Sequence, residues 1–220
     1  MRALSAHHGG VRFADRYDAG RVLARALVGE SWTAPLVLGL ARGGVPVASE
    51  VASALHGELG VAVARKIGAP GHPEFGIGAV TAEGDPIFDE EALLTLGLTR
   101  ADLAERCETE RREARRRLEL YRNGPVLLAG RDVLVVDDGL ATGVTARAAL
   151  REARGHDPRR LVLAVPVGAA ESVRALTADA DLVVCPHPRT DFRAVGRFYR
   201  HFDQTTDDEV IKLLHQHRDH

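Results

Sequence analysis

The chain has 220 residues, of which 45% are hydrophobic and 27% charged, and its formal net charge is −2. This composition is that of a globular protein with one large or two small domains, and the weakly acidic balance excludes a dedicated nucleic-acid binder. The two cysteines lack a C-x-x-C spacing, which excludes a zinc knuckle and a disulfide framework. No apolar run is long enough for a signal peptide or a membrane span, so we expect a cytoplasmic protein.

The first part of the chain predicts a βαβ unit after an N-terminal helix. An aspartate can cap a helix over residues 15–27, and the apolar run 35–41, PLVLGLA, is typical of a strand buried on both faces. The glycine loop 42–44 leads into a helix over 46–57. Residues 61–66, VAVARK, predict the next strand, which is parallel to the first through a right-handed crossover.

The middle of the chain departs from this alternation. Residues 67–80 contain four glycines and two prolines and predict a loop, followed by a small strand in DPIF. Asp89 can cap a short helix, and Thr99 with Asp102 forms a capping pair for a long charged helix. We interpret residues 85–124 as a helical insertion with a solvated or partly detached helix, and we hypothesise that it is a lid over the site. A nucleic-acid arm is disfavoured because the net charge is not basic.

The alternation resumes in the second half of the chain. The pattern predicts strands at 132–136, 160–167 and 180–185, helices at 145–154 and 169–178, and a last helix at 207–217 behind a capping box of Thr206 and Glu209. Such alternation predicts an α/β fold with an open, mainly parallel twisted sheet flanked by helices. In this class ligands bind at the carboxyl ends of the strands. The loops at 42–44, after Lys66 and at 137–145 should therefore converge.

The loop that follows the strand at 132–136 is suited to holding a phosphate. Small residues allow successive backbone N–H groups to face one point, threonines add hydroxyl donors, and the next helix adds its positive N-terminus. The residues that would form this cradle are Gly139, Ala141, Thr142, Gly143, Val144 and Thr145. No Gly-Lys-Ser/Thr follows, so this is not a P-loop.

Two adjacent carboxylates, Asp137 and Asp138, precede the cradle. They would repel a phosphate but can accept hydrogen bonds from vicinal hydroxyls or hold a hydrated Mg²⁺, so a ribose 5-phosphate would fit. Acidic residues also end strands without any function. A receiver-domain phosphoacceptor is a further alternative, but there the acidic pair lies near the start of the chain.

A second group of cations and glycines can hold a more highly charged anion. Its members are Arg42, Gly43, Gly44, Arg65 and Lys66. Guanidinium groups beside exposed amides bind diphosphates well, although a surface arginine in a turn is the alternative interpretation.

These segments resemble type I phosphoribosyltransferases. VLVVDDGLATGVT resembles the family's signature for phosphoribosyl diphosphate (PRPP), and GLARGG is similar to its pyrophosphate loop, which often contains a cis peptide. ARKIGAPG is similar to the RKPGKLP region of adenine phosphoribosyltransferases. The resemblance covers about residues 35–80 and 131–186.

The resemblance implies a role for each matching segment. Asp137 and Asp138 would hold the ribose hydroxyls, residues 141–145 the 5-phosphate, and Arg42, Gly43 and Lys66 the pyrophosphate. Mg²⁺ would bridge the diphosphate and the hydroxyls. The implied enzyme is a single domain over residues 1–220, with a homodimer left open, that transfers the phosphoribosyl group of PRPP to a nucleobase-like or amine nitrogen.

The chain also departs from the family pattern. Ala141 stands where the hypoxanthine-guanine branch has an aspartate, so the acceptor stays open. Glu74 is a candidate general base, with a surface-loop position as the alternative. Residues 186–220 would form the C-terminal hood, in which Phe192 or Tyr199 could stack on a base or simply pack in the core. A non-catalytic sensor of PRPP or a nucleotide, and a hydrolase that uses water, are the competing functions.

Overall fold

The computed structural model describes residues 12–121 and 126–217, apart from the side chains of residues 73–75. The strands are β1 (Leu36–Leu40), β2 (Glu58–Ala62), β3 (Ala64–Ala69), β4 (His72–Thr81), β5 (Ile87–Phe88), β6 (Asp132–Val136), β7 (Arg160–Ala164), β8 (Val167–Ala169), β9 (Leu182–Val184) and β10 (His187–Arg189). The helices are α1 (Arg16–Leu27), α2 (Gly44–Leu55), α3 (Glu90–Leu96), α4 (Ala104–Tyr121), α5 (Val144–Arg154), α6 (Ala170–Ala175) and α7 (Asp207–Gln216).

A five-stranded parallel sheet forms the centre of the molecule, in the order β2-β1-β6-β7-β9. Successive side chains of a strand point to opposite faces. Leu134 of β6 accordingly packs with residues of α1, α2 and α7, whereas Val133 and Val135 pack with residues of α5. Both faces are apolar because helices cover both. The predicted fold class, an open parallel sheet flanked by helices, is confirmed.

The predicted loop at 67–80 is wrong, because these residues form an antiparallel hairpin of β3 and β4 with β5 at its edge. The strand predicted at 61–66 is also wrong as a single element: β2 ends at Ala62, and the chain leaves the central sheet there. The glycines mark close cross-strand contacts. A Cβ on Gly78 would lie 2.5 Å from the carbonyl oxygen of Ile87, and one on Gly76 would lie 2.4 Å from Cδ of Lys66.

The insertion packs against this hairpin and does not stand apart from the protein. Asp89 caps α3 by accepting a hydrogen bond from the N–H of Ala92, and Thr99 bonds Asp102 through its N–H and its hydroxyl, as predicted. The buried residues of α4 are Cys107, Ala114 and Tyr121. Most of its charged side chains are exposed, but those of Arg111 and Arg117 are only 15% and 18% exposed. The prediction of a partly detached helix is therefore wrong, since only one face of α4 is solvated.

The last part of the described chain contains β10 and α7, which pack outside the central sheet. β10 pairs with β8 in a small parallel sheet, and α7 packs against α2 and α4. Thr206 caps α7 by accepting a hydrogen bond from the N–H of Glu209, as predicted. The strand predicted at 160–167 ends at Ala164, near Pro166, which has no N–H to donate. Across the described helices, none has the length and apolarity that crossing a membrane requires.

Candidate functional site

A cavity of about 310 Å³ lies at the carboxyl ends of β1 and β6. Its walls are formed by Arg16, Leu40, Ala41, Arg42, Gly43, Ala64, Arg117, Asp137, Asp138, Thr145, Gln204 and Thr205. The loops that follow β1 and β6 therefore meet in one place, although they are distant in sequence. This is the position expected for a ligand in an open parallel sheet.

The two carboxylates are held by hydrogen bonds at the end of β6. The N–H of Asp138 donates to Oδ1 of Asp137 over 2.8 Å. Nε of Arg16 donates to Oδ2 of Asp138 over 2.7 Å, and each of these two side chains is 12% exposed. The hydroxyl of Tyr199 donates to the carbonyl oxygen of Asp138 over 2.5 Å. The pair is thus fixed in position before any ligand binds.

Burial has the largest effect on the pKa values of Asp137 and Asp138. Burial raises the pKa of Asp137 well above its usual range, and the negative charge of Asp138 adds to that effect. Burial also raises the pKa of Asp138, although the guanidinium of Arg16 opposes it. Such carboxylates gain from a ligand that donates hydrogen bonds or carries a cation. The described residues hold no group of three or more His, Cys, Asp or Glu side chains placed to bind a metal.

The glycines of the loop 42–44, which follows β1, allow this loop to approach Asp137 and Asp138 closely. A Cβ on Gly43 would lie 2.3 Å from Oδ2 of Asp138, and one on Gly44 would lie 2.5 Å from the carbonyl oxygen of Val136. The peptide bond between Ala41 and Arg42 is cis. The predicted convergence of loops 42–44 and 137–145 is therefore confirmed in its geometry.

The loop 137–145, which leads into α5, contains backbone N–H groups that are available to a ligand. Gly143 has φ of +77°, which favours glycine, and α5 begins at the next residue. Leu140 pairs with Gly168 and so fixes the start of the loop. Among the described residues, no acceptor is found for the N–H groups of residues 141–145. These amides, with the positive end of α5, can bind an anion.

The phosphoribosyl transferase domain family matches residues 13–202 of this chain. The chain belongs to this family. Two curated Mycobacterium tuberculosis proteins, "Putative phosphoribosyl transferase Rv0571c" of strain H37Rv and "Putative phosphoribosyl transferase MT0597" of strain CDC 1551, are each 45% identical to it over 213 residues. The match covers 94% of this chain but 47% of theirs, so the chain spans about half the length of these curated relatives. The crystal structure of TT1426 from Thermus thermophilus is 44% identical, with a TM-score of 0.78, and the match covers 93% of this chain and 98% of that one.

Two cations that the sequence analysis placed in the site, Arg65 and Lys66, lie elsewhere. Nε of Arg65 donates to Oε2 of Glu110 on α4 over 2.9 Å, and Lys66 extends across Gly76 of the hairpin. From β3, the cavity wall receives Ala64. The predicted grouping of Arg65 and Lys66 with Arg42 is therefore wrong for this cavity. The reason is that these residues belong to the hairpin and not to the end of a core strand.

The predicted stacking residues of the hood also lie away from the cavity walls. Tyr199 is 2% exposed, with its ring between those of Phe13 and Phe202, so it offers no free face. Phe192 is half-buried and stacks on Phe198, with 5.3 Å between the ring centres. Both predictions are wrong in this arrangement, because these rings pack against other aromatic rings of the protein. The side chain of Glu74 lies outside the described residues.

The polar residues of the cavity wall that sequence reasoning missed are Arg16, Arg117, Gln204 and Thr205. Arg16 lies in the first turn of an ordinary amphipathic helix, and Arg117 belongs to a helix with many similar arginines. Neither has a local motif that separates it from its neighbours. Only the packing of α1, α4 and the segment before α7 around the sheet edge brings them to the site.

Proposed function

We propose that this chain is a phosphoribosyltransferase that transfers the 5-phosphoribosyl group of PRPP to a nitrogen nucleophile and releases pyrophosphate. The observation that carries the proposal is the meeting of Asp137 and Asp138 with the loop 42–44 in one cavity. A diol-binding pair between two anion-binding loops matches a sugar with a phosphate at one end and a diphosphate at the other. Membership of the family supports the same chemistry.

The 5-phosphate would bind at the N-terminus of α5. The amides of residues 141–145 are available to it, and Thr145 lines the cavity. The partial positive charge of the helix end adds to these hydrogen bonds. Gly139 would keep the start of the loop close to Val195, since a Cβ there would lie 2.5 Å from a methyl carbon of that residue.

The ribose would lie over the two carboxylates. Asp137 and Asp138 would accept hydrogen bonds from its 2- and 3-hydroxyls, and the burial of both groups favours a ligand that compensates for lost water. The diphosphate and the hydroxyls would hold Mg²⁺, which neutralises the charge of the leaving group when bound. Asp137 and Asp138 would hold this ion through water, as one or two carboxylates commonly do for hydrated Mg²⁺.

Catalysis would rest on positioning and charge stabilisation. The bond from ribose C1 to the diphosphate breaks with its electron pair on the leaving oxygen, C1 gains oxocarbenium character, and the acceptor nitrogen forms the new bond and loses its proton. Arg42 and the amides of Gly43 and Gly44 would stabilise the departing charge. Gln204 and Thr205 line the same cavity and would face the acceptor. Glu74 stays a predicted base, and the insertion a predicted lid.

The test is pyrophosphate release from PRPP and Mg²⁺ with a panel of nucleobases and amines. We expect release with at least one acceptor, and about tenfold weaker PRPP binding in Asp137→Asn and Asp138→Asn. Asp85→Asn, a change of the same kind at an exposed position, is the matched control. Tight PRPP binding without turnover for any acceptor would favour a non-catalytic sensor. No PRPP binding at all would remove the basis of the proposal.

A further inference from the structure

Part of the cavity wall comes from α4, a helix outside the segments that carry the family resemblance. Arg117 lies near the end of α4 and lines the cavity together with Arg42 and both carboxylates. Its Nε donates to Oε1 of Glu113 over 2.7 Å, and its side chain is 18% exposed. Among the described residues, the terminal nitrogens of Arg117 have no hydrogen-bond acceptor. The guanidinium of Arg117 is therefore held in place at Nε, and its two terminal nitrogens can donate hydrogen bonds to a ligand.

A carboxylate from α7 lies among these cations. Nη1 of Arg42 is 3.5 Å from Oδ1 of Asp207, and the hydroxyl of Tyr121 donates to the same oxygen. The hydroxyl of Tyr121 holds the pKa of Asp207 below its usual range, and the positive charges of Arg42 and Arg117 contribute to the same effect. The carboxylate of Asp207 thus contacts Arg42, which lines the cavity, and feels the positive charge of Arg117.

We propose that Arg117 binds the diphosphate of PRPP and that Asp207 takes the place of this anion at Arg42 in the free protein. The inference rests on the proposed function and deepens it, because it names the residue that supplies the cation expected from Lys66. On diphosphate binding, Arg42 exchanges Asp207 for a phosphate oxygen. A diphosphate carries more charge and more acceptor oxygens than one carboxylate, so the exchange favours the ligand.

The arrangement has a specific consequence for ligand choice. Arg117 would act on the diphosphate end of PRPP and not on the 5-phosphate end, which in the proposed function would lie at α5. Loss of its charge should weaken PRPP binding while ribose 5-phosphate binding is kept. A merely structural role of Arg117 would change both ligands equally.

The experiment is calorimetric titration of the 220-residue chain with PRPP and, separately, ribose 5-phosphate, both with Mg²⁺. For Arg117→Gln we expect about tenfold or greater loss of PRPP affinity and less than about twofold loss for ribose 5-phosphate. Arg117→Lys keeps the charge and should recover part of the loss. Arg116→Gln is the matched control, since Arg116 pairs with the same Glu113 but is 58% exposed and absent from the cavity wall.

The second variant tests the exchange at Arg42. Asp207→Asn removes the competing anion and should tighten PRPP binding about threefold or more, whereas Asp208→Asn, the same charge change on the next residue, should not. Equal PRPP affinity of Arg117→Gln and Arg116→Gln, or equal losses for both ligands, would overturn the role of Arg117. Unchanged or weaker PRPP binding in Asp207→Asn would overturn the exchange. If the unaltered chain does not bind PRPP, the proposed function itself fails.

Discussion

Nε of Arg16 lies 2.7 Å from Oδ2 of Asp138, and this ion pair joins the N-terminal helix to the carboxylates of the cavity. The same guanidinium donates to the carbonyl oxygen of Asp203 over 2.6 Å and lies 4.0 Å from the ring centre of Phe202. Arg16 thereby links α1, the end of β6 and the segment before α7. One side chain orients a carboxylate and closes the wall of the site.

Replacement of Arg16 should therefore destabilise the protein. In Arg16→Ala, the carboxylate of Asp138 stays buried without its partner, and we expect the free energy of unfolding to fall by about 2–3 kcal/mol. Urea denaturation measures this loss. Arg21→Ala is the control: its contacts with Asp18 and Glu50 are 3.6–3.7 Å long and its side chain is 50% exposed, so about 0.5 kcal/mol or less is expected. Equal losses in the two variants would contradict the structural role of Arg16.

Asp137→Asn should stabilise the ligand-free protein while it weakens PRPP binding. The native pKa of Asp137 is raised, so its ionisation opposes folding as the pH rises through that native value. Asparagine removes this penalty and keeps an oxygen for the N–H of Asp138. The variant should match the unaltered chain near about pH 4 and exceed its stability by about 1 kcal/mol near about pH 8.

The measurement for this variant is urea denaturation at both pH values, with EDTA and without PRPP. A stability difference that shrinks as the pH rises would contradict the assigned direction. PRPP titration of the same samples separates the gain in stability from the loss of binding.

Gly44→Ala should destabilise the protein. The added Cβ would lie 2.5 Å from the carbonyl oxygen of Val136 and 2.9 Å from Cα of Asp137, and both atoms belong to the backbone at the end of β6 and the start of the facing loop. We expect a loss of about 1–3 kcal/mol, measured as a shift of the urea midpoint. Gly29→Ala is the control, since a Cβ there meets nothing within 4 Å. A neutral Gly44→Ala would show that the two loops are not in close contact.

Both cysteines should be slow to react in the native protein. Burial raises the pKa of Cys185 to about 12 and also raises that of Cys107. Since the thiolate is the reactive form, labelling with a disulfide reagent at about pH 8 should be at least about tenfold slower than for free cysteine. In guanidinium chloride both thiols should react at once. Rapid native labelling would mean that the thiols are more accessible than the structure indicates.

Local patterns were enough to predict four of the five strands of the central sheet, namely β1, β6, β7 and β9. Continuous apolar runs specify strands buried on both faces, and capping residues such as Asp89 and Thr206 specify where helices begin. These signals act within a few residues of the chain. The same holds for the 137–145 segment, whose small residues, carboxylates and following helix are consecutive in sequence and could be interpreted together.

The hairpin at β3 and β4 shows where local reasoning ends. Its glycines are typical of a loop in isolation, but they are needed because Lys66, Ile87 and Phe88 pack across them. A glycine selected for a close cross-strand contact and one selected for a turn look alike in sequence. The strand at 61–66 was wrong for a different reason, because this run contains the end of β2 and the start of β3, and its residues do not mark the point where the chain leaves the central sheet. Arg65 and Lys66 were misplaced with it.

The composition of the cavity beyond the two loops was decided by the tertiary structure alone. The sequence by itself determined a parallel sheet and a segment suited to ribose 5-phosphate, because both depend on neighbouring residues. Arg16, Arg117 and Asp207 reach the site only through the packing of α1, α4 and α7, and their partners lie far away along the chain. The role of a charged residue on an amphipathic helix depends on which residue it contacts in the folded protein. Contacts between residues that are distant in the chain cannot be deduced from the local pattern of a single sequence.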